Sequence, residues 1–239
     1  MKIVWFSAGI SSFVAAYLAK DVDKIIYTHI NDQHPDSLRF VNDAGKVLEK
    51  EILITQSRYK CVDDVIKSVG YIKAPYGAPC TNILKRRVRK DWERNNPGRH
   101  IYVWGLDATE KSRAERLVDN MPEFEHEFPL IDAGITKEEA HGIAERLGIK
   151  RPAMYDIGYK NNNCIGCVKG GMGYWNKIRV DFPDVFKKRS EIERTLGFSI
   201  LKDKNGPVFL DELDPGRGRD EKIILPECGI MCELSMGVE

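Results

Sequence analysis

Short apolar runs alternate along this chain with longer stretches in which apolar positions recur at helical spacing. Lys2–Phe6, Lys24–Ile30, Ile52–Thr55 and His100–Trp104 are compact apolar runs, and runs of that length read as buried strands. Phe13–Leu18, Leu38–Glu49, Val62–Val69, Thr81–Arg94 and Lys137–Leu147 carry the helical spacing, as does Val180–Leu196 with an interruption near Pro183. Pro35-Asp36-Ser37 opens the second helix. Thr136 with Glu139 three residues on forms a capping box for Lys137–Leu147, and Gly148 supplies its stop. Glu127–Ile131 is a further strand-like run, and Phe198–Leu210 around Asn205-Gly206 reads as a hairpin. Strand and helix in alternation predict an α/β fold, a parallel twisted sheet with helices on both faces, over residues 1–160. A cysteine-bearing C-terminal appendage is expected over 161–239.

The most informative stretch is the turn after the first strand, Ser7-Ala-Gly-Ile-Ser-Ser12. Strand, small-residue turn and helix is how phosphate sites are built, because free N–H groups at the helix start face an anion that the helix dipole also favours. Gly9 permits close backbone approach, and Ser7, Ser11 and Ser12 add hydroxyl donors. The competing reading is a tight turn with a serine cap; the loop has neither the lysine phosphate loop nor the G-x-G-x-x-G fingerprint. Asp32 and His34 follow the second strand, at the end where parallel sheets bind ligands, and face a nucleotide unless they only cap the next helix. Gly105 ends the fourth strand and repeats the geometry of the first loop. Arg113 and Arg116 beyond it suit paired hydrogen bonds to a phosphate or sulfonate, or else lie on an ordinary helix with Leu106, Ala114, Leu117 and Val118 inward. His141 reads as structural.

Composition changes the picture in two places. Thirty-seven basic and 36 acidic residues leave a balance of +1, so no global charge calls for nucleic acid or a membrane, yet five basic residues crowd Lys85–Lys90. Those five form either a solvated helix face or an anion-facing one, with Lys85 best placed one turn beyond Cys80. Six cysteines, with Cys164 and Cys167 as C-x-x-C, Cys228 and Cys232 as C-x-x-x-C, and Cys61 and Cys80 apart, suit metal or redox chemistry better than a disulfide framework. Cys80 at a helix start suits a metal thiolate, and Cys61 reads as a small buried hydrophobe. Four thiolates chosen from Cys80, Cys164, Cys167, Cys228 and Cys232 suit zinc or an iron-sulfur cluster. Tyr174 and Trp175 either stack on a base or pack in the core, and Asp214–Asp220 reads as a flexible charged loop. Nothing approaches a membrane span, and with no signal-peptide pattern a cytoplasmic protein is expected.

The opening loop resembles the S-G-G-x-D-S loop of the pyrophosphatase-loop (PP-loop) superfamily, with Ala8 for the first glycine and Ser11 for the aspartate. The order Pro129-Leu-Ile-Asp132, capped helix, Gly148-Ile149, Pro152, Met154-Tyr155-Asp156, Gly158-Tyr159 and Cys164-Ile-Gly-Cys167 resembles the phosphoadenylyl-sulfate (PAPS) and adenylyl-sulfate (APS) reductase family, with Ala133 where that family has tryptophan. Glu227-Cys-Gly-Ile230 is similar to its E-C-G-L/I-H tail, with Met231 for the histidine. Cys80-Thr-x-x-Leu-Lys85 also resembles the C-T-x-x-L-K of DNA-phosphorothioation and tRNA-thiolation relatives.

These resemblances imply an adenine nucleotide α-hydrolase-like fold and an enzyme of sulfur metabolism that binds ATP, APS or PAPS. The loop residues, Asp32, Gly105 and Arg116 would hold the nucleotide; Lys85 and Arg113 would offset sulfonate charge. Cys228 would attack sulfur, and a thioredoxin-like dithiol would release sulfite. Cys80, Cys164, Cys167 and Cys232 would hold a 4Fe-4S cluster, or Cys164, Cys167, Cys228 and Cys232 a closed structural zinc or cluster site. The alternative activity is an ATP-dependent adenylating thiotransferase acting on a nucleobase or nucleic acid.

Overall fold

The computed structural model describes residues 1–74, 77–220 and 222–227. Its centre is a five-stranded sheet of β1 (Lys2–Phe6), β2 (Lys24–His29), β3 (Ile52–Gln56), β4 (Ile101–Val103) and β5 (Glu125–Glu127) in the order β3-β2-β1-β4-β5. All four pairings are parallel, and Val4 of β1 stands opposite Ile25 on one side and Val103 on the other. The chain builds outward from β1 to β3 and then returns to the other side of β1, so the order reverses between β1 and β4.

Alternation along the strands supplies two apolar faces. Val4, Phe6, Ile25 and Tyr27 join Phe13 of α1 (Ile10–Leu18) and Phe40 of α2 (Asp36–Val47) in one core. On the other face Ile3, Ile26 and Tyr102 meet Trp92, with Trp5 packed edge-on against Trp92 and Tyr102. The expected helix α3 forms at Val62–Val69, closed by Gly70 in the left-handed region. The helix expected at Thr81–Arg94 is present but not regular: α4 (Pro79–Thr81), a π turn (Asn82–Arg86) and α5 (Arg87–Asn95) follow one another directly. A π turn is uncommon and tends to mark functional positions.

Beyond β4 come a 3₁₀ turn (Ala108–Glu110), α6 (Lys111–Asp119), α7 (Pro129–Asp132), α8 (Lys137–Arg146) and α9 (Ala153–Asp156). The strand-like reading of Glu127–Ile131 is corrected: β5 ends at Glu127, and Pro129, whose fixed φ suits a first helical position, starts α7. The capping box holds, with Thr136 Oγ1 accepting from Glu139 N at 3.2 Å and Glu139 Oε2 accepting from Thr136 N at 2.7 Å. Val118 of α6 is exposed rather than inward. Among the described residues no helix is long and apolar enough to cross a membrane.

The C-terminal region comprises α10 (Met172–Asp181), α11 (Pro183–Leu196) and the antiparallel hairpin β6 (Leu201–Asp203) and β7 (Gly206–Val208). It shares one apolar cluster with α3 and with the chain around α4, including Ile66, Leu84, Tyr159, Trp175 and Leu210. Trp175 is wholly buried there, which settles its choice in favour of packing. The Asp214–Asp220 loop, expected to be flexible, is fastened: Asn176 Nδ2 donates to the carbonyls of Asp214 and Arg217, and Arg217 pairs with Asp203 at 2.9 Å.

A buried ionic group joins the sheet domain to this region. Arg189 of α11 pairs with Asp63 in the first turn of α3 and lies 3.6 Å from Asp32, at the end of β2. Breaking a buried pair strands the remaining charge, so Arg189→Met is expected to cost about 3–5 kcal/mol in urea unfolding at pH 7. Burial alone would raise the Asp63 carboxyl, but Arg189 and Lys188 hold it below the usual carboxylate range. Its contribution is therefore present above the unfolded pKa, about 4, and lost as pH falls through the lower folded value, so the gap between wild type and variant should narrow below about pH 4.

Candidate functional site

The opening loop leaves β1 through Ala8, which adopts φ +57 with its methyl wholly buried. A left-handed L-residue costs roughly 1–2 kcal/mol, and such strain gathers at functional turns. Ser12 is the loop's internal brace. Its Oγ donates to the Gly9 carbonyl at 2.8 Å and faces the Ser7 N–H, the Ser7 hydroxyl and the Gly9 N–H at 3.2, 3.0 and 3.4 Å. At 2% exposure the Ser12 hydroxyl is spent inside the turn. The first-turn amides of α1 have no acceptor within the helix; that of Ile10 points to the Tyr155 hydroxyl at 3.4 Å. The amides of Ser11 and Ser12, with the Ser11 hydroxyl, are what the turn offers an anion, the Ser7 hydroxyl donating instead to Ser12 Oγ. Gly9 has ordinary extended torsions; what its lack of a side chain eases is packing, since a Cβ there would meet the Tyr155 hydroxyl at 3.1 Å.

The end of β4 closes on this turn. A Cβ on Gly105 would lie 2.4 Å from Ser12 Cα and 2.5 Å from its nitrogen, so only glycine permits the approach. Sequence reading paired the two loops by analogy; the strand order makes them neighbours at the reversal between β1 and β4, where parallel sheets hold ligands. Asp107 is buried and accepts from Thr109 N at 3.0 Å, and Ala108 N donates to Ile135 O at 2.9 Å, which brings the α8 start alongside.

That start carries a lysine the sequence reading passed over. Lys137 Nζ donates to Asn161 Oδ1, and the neighbouring Asn162 Nδ2 donates to Ala8 O at 2.7 Å, so the Lys160–Asn162 segment lies against the opening loop. Burial lowers the Lys137 pKa; Asp107 works against that shift and Lys160 with it. The sequence signal was masked, because Thr136-Lys-Glu-Glu139 is fully explained as a helix cap.

The C-x-x-C follows at once. Gln33 and Cys164 form an antiparallel bridge, and Ile165 N donates to Asp32 O at 2.8 Å, which docks the cysteine loop on the chain leaving β2. Tyr174 clasps this loop by accepting from Cys167 N at 2.9 Å and donating to Cys164 O at 3.1 Å. Gly166 sits at φ +69, with Val185 of α11 where a side chain would go. Burial pushes the Cys164 thiol up to about 12; Lys85 opposes the shift, and Asp32, Cys167 and Cys80 add to it. Burial and Cys167 likewise raise the Cys80 thiol, against Lys169 and Arg189. The C-x-x-C pair and the sequence-distant Cys80 thus share one electrostatic neighbourhood, with Lys85, Lys169 and Arg189 around it.

Other expected site residues are differently placed. Asp32 is committed within the protein, its Oδ2 accepting from Val62 N at 2.7 Å and its Oδ1 facing Arg189. His34 Nδ1 accepts from Asp36 N at 3.2 Å, which is its capping role. Arg113 is exposed and pairs with Glu110 at 2.5 Å; Arg116 is exposed, and neither bonds to the opening loop. His141 is buried edge-on against Tyr155, and burial drops its pKa to about 3. Cys228 and Cys232 lie outside the described residues, although Glu227, just before Cys228, docks on α8 with its N–H donating to Glu138 O at 3.1 Å. Among the described residues no three His, Cys, Asp or Glu side chains are grouped to hold a metal ion. Cys80, Cys164 and Cys167 therefore do not build, by themselves, the tetrahedral thiolate set that zinc or a 4Fe-4S cluster requires.

No protein-family model and no curated protein matches the chain. Among solved structures it is similar to phosphoadenylyl-sulfate (PAPS) reductase from Candida auris, crystallised as a phosphate complex, at 11% identity and a TM-score of 0.49, over 68% of this chain and 80% of that one.

Gly105→Ala tests the crevice directly. The added methyl meets backbone rather than a movable side chain, so the variant is expected to lose at least about 1–3 kcal/mol in chemical denaturation. An unchanged midpoint would show that β4 and α1 do not approach as described.

Proposed function

We propose that this protein is a nucleotide-dependent enzyme of sulfur chemistry, binding the phosphates of an adenine nucleotide in the crevice between β1 and β4 and working on sulfur at its edge. The observation that carries the reading is the Asn162 bond to the Ala8 carbonyl, at 2.7 Å, together with the Gln33–Cys164 bridge. A C-x-x-C segment is thereby pinned beside a helix start of the anion-binding kind, at the reversal point of a parallel sheet. In this reading the Ser11 and Ser12 amides and the Ser11 hydroxyl hold phosphate oxygens at the turn through Ser7 and Gly9, Gly105 lets the end of β4 pack on that turn, and Lys137 with Lys160 supplies positive charge.

The reaction that best fits is sulfonucleotide reduction. Cys228, as thiolate, attacks the sulfonyl sulfur of APS or PAPS; the S–O bond breaks and AMP or phospho-AMP leaves with the electron pair. A dithiol protein of the thioredoxin kind then attacks the Cys228 sulfur, releasing sulfite and becoming oxidised itself. Lys85, whose charge acts on Cys164, and Arg113 are proposed to offset sulfonate charge. The described members of the expected metal set with Cys232, namely Cys80, Cys164 and Cys167, are not grouped to hold a metal ion, and no step above depends on a metal. The second reading, adenylation by ATP followed by sulfur transfer to a nucleobase, is favoured by the unpaired cations that follow Cys80.

Incubation with APS or PAPS without reductant should add one SO₃ to Cys228, read by intact mass and peptide mapping. Absence of the adduct together with pyrophosphate release from ATP selects the second reading. Lys137→Met should weaken adenine-nucleotide binding by about tenfold, a loss of about 1.4 kcal/mol. Because its pKa is lowered, wild-type affinity should fall on the alkaline side sooner than an exposed lysine would dictate, and Lys137→Arg should abolish that fall. Equal affinities for wild type and Lys137→Met in calorimetry would remove Lys137 from the site.

A further inference from the structure

The chain is nearly neutral as a whole, yet residues 57–90 hold nine Lys and Arg against two Asp, one of which, Asp63, is buried against Arg189. The excess is displayed rather than dispersed. Val88 and Trp92 turn the inner side of α5 into the core, while Arg86, Arg87 and Lys90 stand exposed with no ion pair among the described residues. The same helix does pair its other arginines: Arg89 meets Glu93 at 2.9 Å and Arg94 meets Asp91. Carboxylates are thus supplied where charge is to be neutralised and withheld along one ridge.

The insert that packs on this helix extends the ridge. Arg58 lies 4.8 Å over the Tyr59 ring and donates to its hydroxyl at 3.0 Å, Ser68 of α3 donates to the same oxygen, and Arg87 lies within electrostatic reach of it. At the other end the π turn presents Lys85, whose charge acts on Cys164. The basic surface therefore runs from an arginine-backed tyrosine to the edge of the thiol group.

We propose that this ridge is a docking surface for a nucleic-acid strand, its phosphates lying along Arg58, Arg86, Arg87 and Lys90 and its path leading past Lys85 to the cysteines. The charge pattern selects the partner: a row of unpaired guanidinium and ammonium groups matches a regularly charged phosphate backbone, and Tyr59 holds Arg58 in place beside it. This deepens the second reading above by naming the surface and the strand it takes, and it does not depend on adenine-nucleotide binding, because Arg58, Arg86, Arg87 and Lys90 have no part in the phosphate crevice.

The test is fluorescence anisotropy of the full chain with a labelled RNA strand of about 20 nucleotides, longer than usual single-strand site sizes, and with a DNA duplex of the same length. Arg86→Gln/Arg87→Gln/Lys90→Gln should bind the preferred form about 10–100-fold more weakly at moderate salt, and for a single strand its log–log salt slope should fall by about 2. Arg86→Lys/Arg87→Lys should retain most of the affinity, and Lys202→Gln/Lys204→Gln, on the β6–β7 hairpin and outside the ridge, should bind as wild type. Circular dichroism checks that the triple variant folds. The proposal is overturned if wild type binds neither nucleic acid, if the glutamine triple binds as tightly as wild type, or if anionic vesicles or an acidic peptide compete for the ridge while nucleic acid does not. Adenine-nucleotide binding, measured separately on the same variants, should be unchanged, so failure of either reading is visible apart from the other.

Discussion

The arrangement depends on one close backbone approach. Where β4 ends, Gly105 lies so near the first turn of α1 that no side chain fits between them. Parallel pairing sets β1 and β4 side by side, but pairing alone fixes only the strands. The missing Cβ lets the chain leaving β4 press against the start of α1, and this brings Asp107, the 3₁₀ turn and the α8 start with Lys137 around the opening loop. A larger residue at this one place would push the crevice walls apart without touching any hydrogen bond of the sheet.

The thiols reach the same region by a separate route. The segment carrying the C-x-x-C is held by short-range backbone links to Asp32 and Gln33, by Tyr174, and by the glycine at 166 that lets α11 close over it. Behind it Arg189 ties α11 to α3, so the position of the cysteine loop and the burial of an ion pair are mechanically one matter. Burial holds the Cys164 and Cys80 protons in place at neutral pH, while Lys85, Lys169 and Arg189 favour their release. Reactivity at these sulfurs therefore hinges on whatever removes the proton, which separates them from a thiolate standing ready by itself.

Much of the sheet was legible because its signals are local. Four apolar runs became β1 to β4, the Thr136 box and the Gly148 stop became α8, and Asn205-Gly206 became a hairpin. What escaped depends on contacts between distant segments. The strand-like Pro129–Ile131 is a helical turn because proline fits a first helical position and β5 had already ended, which apolarity alone does not reveal. Asp32 stands at the expected end of β2, yet its carboxylate is claimed by Val62 and Arg189, two partners that no spacing predicts. Ser12 looked like one of three equivalent hydroxyls, but only tertiary geometry shows it to be spent on bracing the turn. Lys137 was hidden for the opposite reason, since its neighbours already had a complete local explanation.

The π turn joins these threads. One extra residue in the turn between Asn82 and Arg86 shifts the register of everything after it by about 100° relative to an uninterrupted α-helix. Ahead of it, Cys80 is set within the field of Cys167; beyond it, Val88 and Trp92 face inward and Arg87 and Lys90 outward. A regular helix through the same sequence would have to choose, turning either the cysteine from its partners or the tryptophan from its core. The interruption lets one short helix serve the thiol group at its start and present an unpaired basic ridge along its length. For that reason the cysteine at 80 and the basic ridge are carried by one run of helix whose phase is set at Asn82–Arg86.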